Sequence, residues 1–311
     1  MSDEIRRAAE ILRAGGLVAF PTETVYGLGA DASNPQAVAR LYAVKGRPVD
    51  HPVIVHFASA EVAFSFSREI PRAARVLADR FWPGPLTLIL KRSALAADFV
   101  TGGQDAVGLR VPSHPVAQAL LGLFGEGVAA PSANRFGRVS PTTSAHVRED
   151  LGAEVDLVLE GGQSEVGIES TIVDLSGPSP SILRPGRITL EELEEVLEAK
   201  LLKKQQTSLR HSGGLERHYA PRTPARLVAT HVLDQEISVL RASAAVLAFS
   251  RPDERVDYWL RMPREPAGYA RRLYAALREL DSAGCDAILI EAPPDTPEWA
   301  AVRDRLTRAC S

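Results

Sequence analysis

The sequence predicts an α/β protein with a large N-terminal domain and a smaller C-terminal one. Short apolar strands alternate with helical periodicity along most of the chain, and a polar segment rich in Gly and Pro precedes the last strands. The 311 residues are 45% hydrophobic and 24% charged, which is typical of a globular protein. A chain of this length is therefore expected to form two hydrophobic cores.

The elements of the N-terminal part follow from its apolar periodicity. Residues 5–12 have helical spacing that ends at Gly15 and Gly16, and residues 17–20 predict the first strand. Further helices are predicted at 35–44 and 71–80. The other predicted strands are 53–57, 86–91, 107–110, 128–130, 157–160 and 171–174. This alternation predicts a twisted, open, mixed sheet with flanking helices.

The C-terminal part predicts a small Rossmann-like α/β domain. A helix is predicted at 190–202, and a linker rich in Lys, Gly and Pro follows at 203–223. Strands at 244–249 and 287–291 then flank a helix at 269–283, with a last helix at 297–309. The predicted domains are 1–202 and 224–311, joined by the linker.

Composition excludes several classes of protein. A net charge of -3 argues against a surface built to neutralise nucleic-acid phosphates. Cys285 and Cys310 form no C-x-x-C pair, so neither a disulfide framework nor a thiolate zinc site is expected. The N-terminus has no signal-peptide core, and no apolar run approaches the ~20 residues of a membrane helix. We expect a cytoplasmic protein without a membrane part.

The first candidate ligand site is P-T-E-T-V-Y-G-L-G-A-D-A at residues 21–32. Its threonines and glycines follow the first predicted strand, and open α/β sheets commonly bind ligands at strand ends. The same letters are also compatible with a tight turn around a buried threonine.

The second candidate is K-G-R, with Lys45 and Arg47 at a helix end. An ammonium and a guanidinium separated by one glycine can converge on one polyanion, so this pair is a candidate phosphate site. The alternative is a solvated helix C-terminus, where the helix dipole favours cations.

Two further motifs add small polar groups near strands. P-S-A-N at 131–134 is compatible with a nucleotide contact and equally with a turn or helix cap. Residues 161–187 place glycines, Ser170 and Arg184 beside a strand, as in a polar ligand site. Walker, Rossmann, zincin and hydrolase signatures are all absent from the sequence, which removes those enzyme classes.

Together these motifs resemble a known family. In order and spacing, F-P-T-E-T-V-Y-G-L-G, K-G-R-P, F-W-P-G-P-L-T, V-G-L-R-V-P-S-H-P, P-S-A-N, E-S-T-I-V-D and L-R-P-G look like the YrdC-like threonylcarbamoyl-AMP synthases, over about two thirds of the chain. The H-Y-A-P at 218–221 and the C-terminal part resemble the longer, two-domain branch, in which a linker reaches back over the active site.

The resemblance implies a nucleotidyltransferase, an L-threonylcarbamoyladenylate synthase. Such an enzyme joins L-threonine, bicarbonate and ATP into threonylcarbamoyl-AMP and pyrophosphate, for modification of adenosine in tRNA. It implies hand-off to a tRNA threonylcarbamoyltransferase, with direct tRNA binding weak or absent. Mg²⁺ is expected to be held through phosphate oxygens and water, with no metal site built from protein side chains.

The resemblance also assigns roles to individual residues. Lys45 and Arg47 are the expected catalytic pair. The residues assigned to ATP are Lys45, Arg47, Ser132, Asn134, Ser140, Arg184 and Tyr219. The residues assigned to threonine are Thr24, His56, Arg110 and Ser170.

This chain departs from the family pattern at two places. His51 stands where the family usually has Asn, and the linker lacks the usual S-P-G-M before H-Y. Two rival functions are a carbamoyl-transfer enzyme of hydrogenase maturation and a nucleic-acid-binding module. The first needs acylphosphatase and zinc-finger modules that this sequence lacks, and the second is disfavoured by the net charge and by the absence of an RNA-binding motif.

Overall fold

We describe the protein from a computed structural model, which describes residues 2–203, 209–240 and 242–311. The chain divides into two compact units. The first comprises Met1–Phe136, Pro141–Glu165 and Glu169–Gly214, and the second Gly137–Ser140, Val166–Ile168 and Leu215–Ser311. The last division falls within the predicted linker 203–223, of which residues 204–208 lie outside the described residues.

The first unit is built on one large mixed sheet. Its helices are α1 (Ser2–Arg13), α2 (Pro35–Lys45), α3 (Ala60–Ser65), α4 (Arg72–Phe81), α5 (Asp98–Thr101), α6 (Pro115–Phe124), α7 (Ser144–Leu151) and α8 (Leu190–Leu197). Its strands are β1 (Val18–Phe20), β2 (Gly27–Asp31), β3 (Ile54–His56), β4 (Leu86–Lys91), β5 (Ala106–Arg110), β6 (Val128–Ala129), β7 (Leu157–Val158), β8 (Thr171–Asp174), β9 (Ser181–Arg184) and β10 (Leu202–Lys203). The strand order is β10-β9-β8-β4-β5-β3-β6-β2-β1-β7.

The two faces of this sheet pack into different cores. In β1, Ala19 belongs to the main core, whereas its neighbours Val18 and Phe20 belong to a second cluster together with residues of α1 and α6. This separation follows from the strand period of two, which sends successive side chains to opposite faces.

Three strands of the sheet run in one direction and end at a candidate site residue. Strand β3 is parallel to β5. Strand β5 is antiparallel to β4, β4 is parallel to β8, and β8 is antiparallel to β9. Strands β3, β5 and β9 therefore run in the same direction. They end at His56, Arg110 and Arg184. Ser170 directly precedes β8, which runs the opposite way, so all four residues lie at one edge of the sheet.

The second unit contains a smaller, parallel sheet. Its strands are β11 (Ala225–Val228), β12 (Ala244–Ala248), β13 (Tyr258–Arg261) and β14 (Ala287–Glu291), in the order β11-β14-β12-β13. Its helices are α9 (Leu233–Val239), α10 (Pro266–Asp281) and α11 (Ala300–Ala309). Parallel strands with helical crossovers confirm the Rossmann-like prediction. No helix of the described ranges is both long and apolar enough to cross a membrane.

The predicted fold class is confirmed, but the predicted helix 190–202 is wrong at its C-terminal end. Helix α8 ends at Leu197 because Glu198 adopts a left-handed conformation with φ 51°. The chain then turns back, and Leu202 and Lys203 pair with β9 as β10. Nothing in the sequence indicates that the helix ends at Leu197, because residues 190–202 contain no glycine or proline.

Two adjacent glycines allow a direct test of the loop that follows α5. Gly102 and Gly103 both have positive φ, 60° and 75°, so alanine at either position costs about 1 kcal/mol in backbone strain. A Cβ on Gly102 would also lie 2.2 Å from the carbonyl oxygen of Asp50, whereas a Cβ on Gly103 would meet nothing within 4 Å. We expect Gly102→Ala to lower the free energy of unfolding by at least about 1 kcal/mol more than Gly103→Ala in denaturant titrations. Equal losses would contradict the close packing of Gly102 against the loop at Asp50.

Candidate active site

One transverse row of the large sheet carries several candidate side chains. His56 on β3 is opposite Arg110 on β5. The register of β5 and β4 places Thr87 opposite Arg110, and Thr87 is in turn paired with Ile172 on β8. Ile172 is opposite Arg184. Residues opposite each other on neighbouring strands point to the same face. The sheet therefore gathers His56, Arg110 and Arg184, which are far apart in sequence, on one face.

Arg110 forms a buried ion pair with a residue that the sequence analysis did not select. Its Nη2 donates to Glu23 Oε1 at 2.7 Å, and both side chains are only 5% exposed. Glu23 Oε2 also accepts from the backbone N–H of Ser113 at 3.1 Å. Within the described residues the buried Nε of Arg110 has no hydrogen-bond partner. The fixed guanidinium thus retains a donor for a ligand carboxylate.

His56 is held as a neutral imidazole. Its burial, and to a lesser degree the charge of Arg110, lower the pKa of His56 to about 3. Its Nδ1 lies 3.3 Å from the carbonyl oxygen of Ile54, and because a carbonyl only accepts, that nitrogen carries the proton. Nε2 is then an acceptor, suited to an ammonium or hydroxyl group of a ligand.

Ser170 is tied to both neighbouring strands of the row. Its Oγ lies 2.8 Å from Thr87 Oγ1 and accepts from Arg184 Nη2 at 3.1 Å. Arg184 Nε donates to the carbonyl of Ser170 at 3.0 Å, and its Nη1 donates to the carbonyl of Ser212 at 3.0 Å. In this structure Arg184, which the sequence assigns to ATP, thus holds Ser170, which it assigns to threonine.

Thr24 lies in a turn that hydroxyl groups stabilise. Thr22 Oγ1 donates its one proton to the carbonyl of Val25 at 2.6 Å. In the 2.8 Å contact between the hydroxyls of Thr22 and Thr24, Thr24 is therefore the donor. The turn leads into β2, and Gly27 forms an isolated antiparallel bridge with Ser132. The tight-turn alternative is therefore correct for the local geometry, and the turn still leaves Thr24 with lone pairs that can accept.

The K-x-R and S-x-N motifs form one structural unit. Lys45 ends α2 and is 2% exposed, and its Nζ donates to the backbone carbonyls of Ser132 and Asn134. The N–H of Phe136 in turn donates to the Lys45 carbonyl at 2.8 Å. Burial, and then the charge of Arg47, hold the pKa of Lys45 well below its usual range. The solvated-helix-end alternative is wrong for Lys45.

Arg47 is buried between a backbone acceptor and an aromatic ring. Its Nη2 donates to the carbonyl of Pro52 at 2.7 Å, and its guanidinium lies 5.5 Å from the centre of the Phe136 ring. The ring of His51, the residue that departs from the family pattern, lies 5.6 Å from the same Phe136 ring. His51 therefore contributes to the surroundings of Arg47 through Phe136.

The C-terminal segment of the first unit, residues 209–214, lies on the face that carries the row, and we call it the strap. The side-chain amide of Gln104 pairs with both the N–H and the carbonyl of Arg210, at 2.7 and 2.9 Å. The Arg210 guanidinium donates to the carbonyls of Asp50 and Gly102. Residues 209–212 and the face of β3, β4, β5 and β8 line a small, mostly apolar pocket.

Two residues that the sequence assigns to ATP belong to the second unit. Ser140 is fully buried. Tyr219 has φ 62° and is also buried; its ring stacks on Tyr274 at 5.7 Å and lies under the guanidinium of Arg305 at 5.3 Å. Their expected contacts with ATP stay predictions.

Comparison with known proteins identifies the family. The Sua5/YciO/YrdC family model, described as telomere recombination, matches residues 10–186, and the model of the threonylcarbamoyl-AMP synthase C-terminal domain matches residues 188–311. Two relatives named threonylcarbamoyl-AMP synthase, from Pyrococcus abyssi and Bacillus subtilis, are 39% and 38% identical to this chain. Both alignments cover 98% of this chain, and 94% and 92% of the respective relatives.

Solved structures agree with these matches. The crystal structure of P. abyssi Sua5 complexed with L-threonine matches with a TM-score of 0.94 at 38% identity, covering 100% of this chain and 95% of that one. E. coli YciO matches with a TM-score of 0.53 at 27% identity, covering 60% of this chain and 90% of its own. The chain therefore belongs to the Sua5/YciO/YrdC family, in the form that carries the threonylcarbamoyl-AMP synthase C-terminal domain.

Proposed function

We propose that this protein is an L-threonylcarbamoyladenylate synthase, which converts L-threonine, bicarbonate and ATP into threonylcarbamoyl-AMP and pyrophosphate. The observation that carries the proposal is the match, over 98% of the chain, to relatives named threonylcarbamoyl-AMP synthase. The arrangement of buried cations around a neutral histidine on one face of the sheet supports it, because these groups fit an amino acid and a nucleotide.

The reaction divides into two steps. First the amine of threonine attacks the carbon of bicarbonate, water leaves, and a carbamate forms. A carbamate oxygen then attacks the α-phosphorus of ATP, and the bond to the bridging oxygen breaks so that pyrophosphate leaves. In-line displacement at phosphorus needs positioning and charge neutralisation rather than a covalent nucleophile on the protein.

The threonine end of the site is assigned to the transverse row. Arg110 offers its Nε–H to the α-carboxylate, while Glu23 keeps the guanidinium in place. His56, neutral at physiological pH, accepts from the threonine amine or hydroxyl through Nε2. Ser170 and Thr24 supply the remaining hydroxyl groups.

The nucleotide end is assigned to the unit formed by the K-x-R and S-x-N motifs. The Lys45 ammonium is held by two backbone carbonyls, and because burial disfavours its charged form, a bound polyphosphate would stabilise it. Arg47 adds a second cation, and Ser132 and Asn134 hold the nucleotide. We also assign Ser140, Arg184 and Tyr219 to ATP, on the family resemblance alone.

Mg²⁺ is proposed to enter with ATP as part of the substrate. The described residues contain no group of three or more His, Cys, Asp or Glu side chains that could hold a metal ion. Phosphate oxygens and water are the ligands that Mg²⁺ commonly uses in such sites. The unstable product is proposed to pass to a tRNA threonylcarbamoyltransferase in the cytoplasm, with direct tRNA binding by this chain weak or absent.

We propose that residues 1–202 form the catalytic domain, 224–311 the C-terminal domain, and 203–223 a linker that works as a lid. The described part of this linker includes the strap, which is held on the sheet by Gln104 and Arg210. Thr24, His56, Arg110 and Ser170 are all nearly completely buried, so threonine can reach them only when a covering segment moves. Closure would keep water from a labile acyl adenylate.

The first test of the function is its substrate requirement. Purified protein should release pyrophosphate from ATP only when threonine and bicarbonate are both present and no RNA is added. Threonine differs from serine by one methyl group, which supports only modest discrimination, so serine should be a poorer substrate by about 10- to 200-fold. Equal turnover with serine, or turnover without bicarbonate, would contradict the assignment of threonine and bicarbonate as substrates.

The second test concerns the cation pair. Lys45→Ala and Arg47→Ala should each lower kcat by at least about 100-fold, because these cations act as charge develops on the phosphates. Lys91→Ala is a matched control, since Lys91 is a partly exposed lysine paired with Glu69. Thermal unfolding checks that each variant is folded. Wild-type kcat in a folded Lys45 or Arg47 variant would exclude that residue from catalysis.

The third test concerns the lid. Cleavage by a broad-specificity protease between Lys203 and Arg222 should slow when ATP and threonine are added together. Without ligands, Arg210→Ala should be cut faster than wild type, because it loses the bonds to Asp50 and Gly102. Arg226→Ala, which removes an exposed arginine paired with Glu236, is the control. Equal rates of cutting with and without ligands would contradict the lid function and would indicate that the linker only connects the two domains.

A further inference from the structure

We infer that Thr87 is a positioning residue, which holds the hydroxyl group of Ser170 in place for the bound threonine. The inference rests on the proposed function and deepens it. Thr87 is the last residue of the motif F-W-P-G-P-L-T, but the family resemblance assigns it no role. Its position became visible only through the pairing of β4 with β5 and β8.

The geometry places three polar groups around one oxygen. Ser170 Oγ lies 2.8 Å from Thr87 Oγ1 and 3.1 Å from Arg184 Nη2. A guanidinium only donates, so Ser170 Oγ accepts from Arg184. One lone pair of the serine oxygen is therefore occupied by Arg184, and the contact with Thr87 is the second anchor of the hydroxyl group.

The hydroxyl of Thr87 is committed to Ser170. Thr87 is completely buried, and in the part of the chain that the structure describes Ser170 is the one hydrogen-bond partner of its hydroxyl. Either of the two hydroxyl groups can be the donor of this contact. Thr87 therefore holds Ser170 Oγ in place whichever of the two donates.

The two anchors leave Ser170 one further hydrogen bond for a ligand. A hydroxyl has one proton and two lone pairs, and Thr87 and Arg184 take two of these three positions. In the row Thr87 is next to Arg110, whose Nε is an unused donor. The Ser170 hydroxyl and the Arg110 Nε lie at one edge of the sheet and fit the polar groups of one substrate molecule.

The surroundings of Thr87 are otherwise those of a core residue. The neighbouring Leu86 and Leu88 in β4 are fully buried, and the methyl group of Thr87 faces Gly108, where an added Cβ would lie 3.6 Å from it. A valine would keep this shape and remove only the hydroxyl. Thr87→Val therefore isolates the hydrogen bond from the packing.

The test compares threonine binding in a set of variants. Thr87→Val should raise the KM for threonine and its Kd from calorimetry by roughly 3- to 10-fold, because the Ser170 hydroxyl loses one of its two anchors. The KM for ATP should stay at the wild-type value. Thr87→Ser, which keeps the hydroxyl, should restore threonine binding. Combining Thr87→Val with Ser170→Ala should cost no more than Ser170→Ala alone, because Thr87 acts through the Ser170 hydroxyl.

Each outcome decides the inference. A folded Thr87→Val variant with wild-type threonine affinity, or losses that add in the double variant, would overturn the role of Thr87 while the proposed function stands. Parallel losses for threonine and ATP in both Thr87 variants would indicate a structural role only and would also overturn it. Wild-type protein that neither binds nor uses threonine would remove the proposed function and this inference together.

Discussion

Buried positive charge is the constraint on which the candidate site depends. Lys45, Arg47, Arg110 and Arg184 are each less than 10% exposed, and burying a cation is costly unless the protein supplies acceptors. Arg110 is paired with the buried carboxylate of Glu23. Lys45 and Arg47 donate to backbone carbonyls, and Arg184 donates to backbone carbonyls and to the hydroxyl of Ser170. The segments around the site are therefore arranged as acceptors, which fixes the cations in place.

The sequence predicted the fold well wherever strands are continuous apolar runs. Residues 86–91 and 287–291 were predicted with the bounds that the structure has, because such runs have no other stable place than a buried strand. The strands β2, β9, β10, β11 and β13 were not predicted. Glycines in β2, and the exposed residues in β13, remove the apolar pattern that the prediction needed.

The candidate site was predictable as a list of residues but not as an arrangement. The motifs named His56, Arg110 and Ser170, yet their proximity depends on strand register, which sequence spacing does not give. Glu23 and Thr87 were missed for the same reason, since each matters through one partner on another strand or loop. The letters P-T-E-T contained a signal for Glu23, because a carboxylate between two buried threonines requires a buried cation.

The transverse row has a consequence for biosynthesis of the protein. Its members come from residues 56, 87, 110, 172 and 184, so no short segment of the chain holds even half of the row. Contacts between such distant positions form late, because long loops must close first. A partly synthesised or partly folded chain therefore lacks the complete row. If the row binds threonine as proposed above, threonine binding would report that the sheet is complete.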